Sequence, residues 1–468
     1  MRLFAATAAL ALFSTSAIAA PPADKWHSKA REIFQRSIEI PTVAGRGQMP
    51  ALAQYLADTF KAAGWATSDI HVLPHQGGPG DRTASLIVRW PAAGKPAKKP
   101  ILLLAHMDVV EAKAEDWSTD PFKFQEKDGY FYGRGTSDDK QGVTAVTAAL
   151  LKLRASGFKP KRDLVVLFTG DEETEGRGAQ LGATEWRKWT DAEFALNADA
   201  GGGSFDRQGR ALGFGLQTAE KQYVSFHFTA RNPGGHSSRP RPDNAIYQLA
   251  GGLTRLEAHR FTPVLNETTH AYFTARAKME TGALGEAMRR WVADPADSAA
   301  ADAIEANELE VGMTRTRCVA TRLEGGHADN ALPQLARATI NCRMMPGSDP
   351  KALEAELKQV AGPQVSVTVS DPPNPAPASP LRADVVKAYT DSVHKRFPGA
   401  PIVPSMSTGA TDGLFFRAAG IPVYGVEGSW GISPDDERAH GKDERLPVKA
   451  LYDNVDHWHD MIAALAGK

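Results

Sequence analysis

Two cysteines in 468 residues are too few to build a disulfide scaffold, and other absences narrow the field further. Lys plus Arg total 54 against 55 for Asp plus Glu, a formal net charge of −1, and the longest basic stretch, Lys95 to Lys99, lies among Pro and Gly as a solvated loop. Such a chain has no electrostatic footprint for nucleic acid. Neither His-Glu-x-x-His nor Gly-x-Ser-x-Gly occurs, which sets aside the helix-borne single-zinc proteases and the serine hydrolases of the α/β type. There is no internal repeat. What remains, with 42% apolar residues, describes a globular enzyme with ample core, expected in two domains.

Residues 1–20 differ from the rest. Arg2 precedes an Ala/Leu/Phe-rich run, and small residues close it from Ser14 to Ala20. The apolar run, roughly 10 to 12 residues, is short against the ~20 that span a bilayer, so a cleaved secretory signal is expected rather than an anchor. Export, to a bacterial periplasm, follows, with no membrane span after its removal. Cys318 and Cys342 flank Asn330 in segments of β character, where a hairpin centred near Asn330 would set them opposite each other; a disulfide and two buried thiols both fit.

Carboxylates at strand ends carry the chemistry. The run Leu164-Val165-Val166-Leu167-Phe168 ends in Thr169-Gly170-Asp171-Glu172-Glu173, and Ile101 to Ala105 ends in His106-Met107-Asp108. Acids that close buried strands need a proton or a cation. On an alternating strand His106 and Asp108 point the same way, so an imidazole can bind a metal while the carboxylate orients it. Asp138 precedes a helical pattern (Val143, Val146, Leu150, Leu153); a lone Asp there is ordinarily an N-cap, but its acidic company favours a ligand. Neighbouring Glu172 and Glu173 diverge in extended backbone, with Glu173 as ligand and Glu172 as base. Zinc lowers the pKa of a bound water toward about 7, and an uncoordinated carboxylate can take its proton and pass it to a leaving amine. Asp199, closing the strand Phe194 to Ala198 before Gly201-Gly202-Gly203, and His440, in a polar loop before the last helix, complete the set. His71 and His75 are read as structural, and His457 and His459 as facing solvent.

In this order the motifs resemble the co-catalytic di-zinc peptidases and amidohydrolases that include glutamate carboxypeptidase, carnosinase, aminoacylase and succinyl-diaminopimelate desuccinylase. They stand here as His106-Met107-Asp108, Gly133-Arg134-Gly135-Thr136-Ser137-Asp138-Asp139-Lys140, Asp171-Glu172-Glu173, Asp199, Gly235-His236-Ser237 and His440-Gly441. The resemblance implies two zinc ions per subunit bridged by Asp138, with His106 and Asp199 on one side and Glu173 and His440 on the other, and a cis peptide between Asp138 and Asp139. It implies that His236, carried by a lid and reaching a partner's site in dimers, polarises the scissile carbonyl. Asn330 and Arg343 match positions that hold substrate, an Arg fork suiting a carboxylate, and Gly409, Thr411 and Asp412 match a Gly-x-Thr-Asp loop beside the site.

Helical and strand patterns alternate to about Gly215, with strands at 84–90, 100–106, 163–168 and 193–198, predicting an α/β catalytic domain around a mostly parallel sheet flanked by helices. Period-two patterning from Tyr223 to Ala230 opens an inserted α+β lid and dimerisation domain. The expected division is 21–217 catalytic, 218–373 lid and 374–468 catalytic, with the Pro-rich 371–380 as linker and 293–310 as a polar helical insertion of unassigned role. The expected activity is hydrolysis of short peptides by an exported homodimer, Asp rather than Glu at 199 favouring the dipeptidase side of the resemblance. An N-acyl-amino-acid amidohydrolase is the alternative. A non-catalytic binding protein on the same fold would show a missing ligand, and none is missing.

Overall fold

The structure, a computed structural model, describes residues 24–78, 80–371 and 375–467; the signal-peptide assignment lies outside them. An eight-stranded sheet runs in the order Ile70–Gln76, Arg82–Trp90, Leu164–Thr169, Ile101–His106, Phe194–Phe205, Val423–Ile432, Ala211–Glu220, Ile402–Ser407. The central strands are parallel, as expected of strands buried on both faces. Alternation divides their side chains between two cores. Ile101, Leu103 and Ala105 face helices Lys25–Ile38, Lys140–Ala155 and Val448–Ala466, while Leu102 and Leu104 face Arg177–Ala183 and Gly413–Ala418.

Register then builds the site. His106 pairs with Thr169, and Leu104 with Asn197, so the acids following three parallel strands emerge together at their carboxyl ends.

The turn at Lys221 carries the chain from the central strand Ala211–Glu220 into the lid strand Gln222–Arg231. The lid sheet is antiparallel, in the order Arg317–Gly325, Leu335–Met344, Gln222–Arg231, Ser366–Asp371, with helices Ala245–Ala258 and Pro350–Ala361 over one face. Cys318 pairs directly with Cys342, and the two form a disulfide. The excursion between them and the first lid helix goes elsewhere. Helices Glu267–Met279, Gly282–Ala293 and Ser298–Glu305 bury Phe273, Met288, Trp291 and Ile304 against Ala219, Met345 and Met406, covering the Ile402–Ser407 edge of the central sheet. This gives the insertion a role in closing an edge.

His457 does not face solvent. It is buried beside Trp458 because helix Val448–Ala466 packs against both Lys140–Ala155 and Val423–Ile432, with Gly428 lying flat on the imidazole. Its Nε2 donates to the Val426 carbonyl at 2.9 Å and Nδ1 accepts from the Ser392 hydroxyl at 3.0 Å. Burial, helped by Arg396, pushes its pKa down to about 3. The folded pKa lies below the unfolded one, so this stabilisation is complete above about pH 6.5 and is lost as pH falls from there toward 3. By pH 5 the loss amounts to about 2 kcal/mol. Denaturant unfolding at pH 7.5 and pH 5.0 should therefore show a steeper decline for the native protein than for His457→Gln, and equal slopes would contradict the assignment.

Candidate metal centre

His106 closes its strand almost fully buried, with Nε2 at 3.0 Å from Asp138 Oδ1 and 3.5 Å from Asp199 Oδ1. Its Nδ1 lies 3.1 Å from the backbone carbonyl of Asp108 and 3.5 Å from that residue's carboxylate. Donation to the carbonyl leaves the Nε2 lone pair turned toward the acids. The Asp108 carboxylate has a further task, accepting the N–H groups of Glu172 and Glu173 at 3.1 and 3.0 Å. It therefore holds the two glutamates as well as the histidine.

Glu172 and Glu173 are not extended. Residues 172–175 form a turn because Asp171 accepts the N–H of Gly176 on its carbonyl and those of Arg177 and Gly178 on its carboxylate. The turn still separates the two side chains. Glu173 Oε1 and Oε2 each lie 3.0 Å from His440 Nε2, whereas the Glu172 carboxylate has no hydrogen-bond partner among the described residues and lines the cleft. His440 Nε2 is also 3.1 Å from Asp138 Oδ2. One Asp138 oxygen thus faces His106 and the other faces His440. The Asp138–Asp139 peptide is cis.

Electrostatics show what the cluster needs. Burial pushes Asp199 up to about 6, and burial with the Asp199 charge pushes Glu172 well above the usual range. Burial also works on Asp138, but bonds from His106 and His440 outweigh it and hold that carboxyl low. Bonds from Asp138 and Glu173 lift His440 to about 10. The imidazoles do in part what cations would do more fully. Ligand atoms of His106, Asp138 and Glu173, and of His106, Asp139 and Asp199, come within 4.8 Å of one another, and an all-nitrogen-and-oxygen donor set suits zinc and other divalent ions.

The cleft, about 470 Å³, is lined by Asp138, Glu172, Glu173, Asp199 and His440 opposite Ala410, Thr411, Asp412, Leu414 and Phe415. Thr411 accepts from Asn197 and donates to Glu220; Asp412 accepts from the Thr169 hydroxyl. Gly409 is exposed, its N–H on Ser407 Oγ, and is not part of the lining.

The lid residues stand apart from the cleft. His236 is exposed on a two-residue strand paired with Ala331–Leu332, its Nδ1 accepting from Ser238, while the Asn330 carbonyl accepts the Ser237 N–H. Arg343 lies eight residues along from Leu335, where the strand begins, over the Tyr223 ring. At ~3.4 Å per residue that is about 27 Å from the His236 end.

Two further acids belong to the site: Asp139, to which the sequence motif alone gives no role, and Glu427, which no motif marks. Asp139 ties the His106 N–H to Gln141. Glu427, pushed up to about 8 by burial, is bonded by Gln141 and Ser429 behind the cluster. An acid closing the apolar run Val423 to Val426 is the same signal that marks Asp199, and it could have been read.

Carboxylates and imidazoles at the carboxyl end of a parallel sheet, beside a lid of separate architecture, define a metal-dependent hydrolase of the two-domain type. Residues 102–464 match the model of Peptidase family M20/M25/M40, and the chain belongs to that family. It is 30% identical over 380 residues, 78% of this chain and 74% of the relative, to human N-fatty-acyl-amino acid synthase/hydrolase PM20D1. It is 27% identical to Aminoacylase-1 of Sus scrofa, over 94% of this chain and 97% of that protein. Its fold matches the M20 family metallo-carboxypeptidase Sso-CP2 from Sulfolobus solfataricus with a TM-score of 0.66, at 19% identity over 93% of this chain and 98% of that one.

Proposed function

We propose that this protein is an exported zinc enzyme that hydrolyses the amide bond of short peptides, acting as a homodimer. The observation that carries the reading is the division of Asp138, one oxygen toward His106 and the other toward His440. His106, Asp138 and Asp199 would hold one zinc, and Asp138, Glu173 and His440 the other. When bound, the pair supplies Lewis acidity toward the scissile carbonyl and acidifies the attacking water.

The chain's own residues do the rest. Glu172, without a hydrogen-bond partner on its carboxylate among the described residues, takes the proton from the water and returns it to the departing amine nitrogen. Asp108 fixes where that carboxylate stands, through the N–H groups of the glutamate turn. His236 donates a hydrogen bond to the carbonyl oxygen as charge develops there. Arg343 would hold a substrate carboxylate and Asn330 the substrate backbone.

Dimerisation is supported by the distance between the His236 and Arg343 ends of the lid, which in one chain cannot serve the same small substrate. Among the described residues the lid strand Arg317–Gly325 is paired on one side only; it exposes Val319 and Leu323, and Leu323 shares a shallow apolar hollow with Ile246, a face suited to a second copy. Export to a periplasm is supported by the disulfide and the leader-like first twenty residues.

An N-acyl-amino-acid hydrolase is the second reading. Leu414 and Phe415 give the cleft an apolar wall that would take an acyl chain, and PM20D1 and Aminoacylase-1 are named for such substrates. Metal-depleted protein, reloaded with zinc, should be assayed on dipeptides, N-acetyl amino acids and N-fatty-acyl amino acids. Preference for dipeptides supports the first reading; preference for an acylated amino acid replaces it with the second.

A further inference from the structure

We propose that Glu444 and Arg134 form a buried clasp that sets His440 against Glu173 and Asp138, and so governs how tightly the His440-side cation is held. The inference rests on the two-cation reading and goes beyond it, giving a positioning role to two residues outside both ligand sets. Glu444 is fully buried, four residues past His440. Its Oε1 accepts the Ser137 N–H at 2.7 Å, the Ser137 hydroxyl at 3.0 Å and the Asp138 N–H at 3.1 Å. Its Oε2 accepts the Gly135 N–H at 3.0 Å and Arg134 Nη1 at 2.8 Å. Arg134, equally enclosed, donates from Nη2 to the His440 carbonyl at 3.3 Å and lies over the Trp117 ring.

One carboxylate therefore gathers three backbone N–H groups of the loop that delivers Asp138, while its guanidinium partner grips the main chain of His440. The two loops are some three hundred positions apart in sequence, and the clasp joins them. Such a link matters more on one side of the centre than on the other. His106 ends a strand paired on both sides, so the sheet holds its imidazole. His440 sits in a loop in left-handed backbone, φ 61°, with its side chain half exposed, and a non-glycine residue keeps that conformation only when its surroundings impose it.

Glu444→Gln tests this. An amide must turn its NH₂ either toward Arg134 and Gly135 or toward the Ser137 and Asp138 N–H groups, and Arg134 loses its counter-charge in either case. Metal-depleted protein would be titrated with zinc against a chromophoric chelator, with thermal melting to show that the variant folds. The native protein should bind in two steps. The weaker step is assigned to the His440 side, because His440 is loop-borne and half exposed whereas His106 is held by the sheet. In Glu444→Gln that step should weaken about 10- to 100-fold more than the tighter one, the range typical of groups that orient ligands. Arg134→Lys, which leaves Glu444 its three N–H donors, carries the same expectation in direction and stands in if Glu444→Gln gives no cooperative melt. Two steps unchanged, or weakened by the same factor, would overturn the clasp while leaving the two-cation reading intact. A single step in the native protein would overturn both.

Discussion

Glu172→Gln is expected to lower kcat by about 10³-fold, within the range of roughly 10² to 10⁴ that a positioned general base supplies, while metal content stays that of the native protein. The exchange is nearly isosteric, and the turn that presents residue 172 is held by its backbone N–H on Asp108 and by the bonds to Asp171, none of which involves the glutamate carboxylate. What the amide loses is proton affinity. Glu173→Ala separates the two neighbours, because removing a carboxylate that faces His440 should deplete metal along with activity. Steady-state kinetics on the best substrate, paired with elemental analysis of the same preparations, reads both quantities. Activity of Glu172→Gln within tenfold of native would remove the residue from the proton path.

His236→Ala should lower kcat by roughly 10²-fold or more, as for loss of a donor to a developing oxyanion, with zinc content unchanged. The histidine is exposed and absent from the cleft lining, so to act on a substrate it would have to be brought there by lid movement or by a second subunit. Mixing distinguishes the two. If His236 serves its partner, a heterodimer of His236→Ala with Glu172→Gln concentrates both defects in one site and leaves the other intact, so re-associated mixtures should recover activity. No recovery after demonstrated subunit exchange would place His236 in its own subunit's site or outside catalysis.

The central strands were legible because burial on both faces writes them as short apolar runs, and the acids that close those runs mark the carboxyl edge where a site forms. Period-two patterning likewise announced the lid sheet, and the hairpin about Asn330 placed Cys318 opposite Cys342. Other features depend on contacts a linear pattern does not encode. Asp108 was expected to orient only His106, yet its carboxylate reaches the glutamate turn because two parallel strands end side by side. His457 and His459 straddle Trp458 on the last helix and both read as solvent-facing, but the packing of Gly428 on the His457 ring and the bonds to Val426 and Ser392 bury it. Segment 293–310 reads as a polar helical insertion from its Ala, Asp and Glu content, while its Ala300, Ala301 and Ile304 join Trp291 against the sheet-edge strand Ile402–Ser407, far along the chain. Arg134 and Glu444 are each unremarkable in sequence; their meaning arises from a contact across 310 residues.

Whether Asp138 is shared by two cations can be seen most directly by anomalous diffraction from crystals of zinc-loaded protein, recorded on both sides of the zinc absorption edge. Two peaks per chain are expected, one among His106, Asp138 and Asp199 and the other among Asp138, Glu173 and His440. A single peak, or peaks that leave Asp138 outside the coordination of either ion, would contradict that sharing.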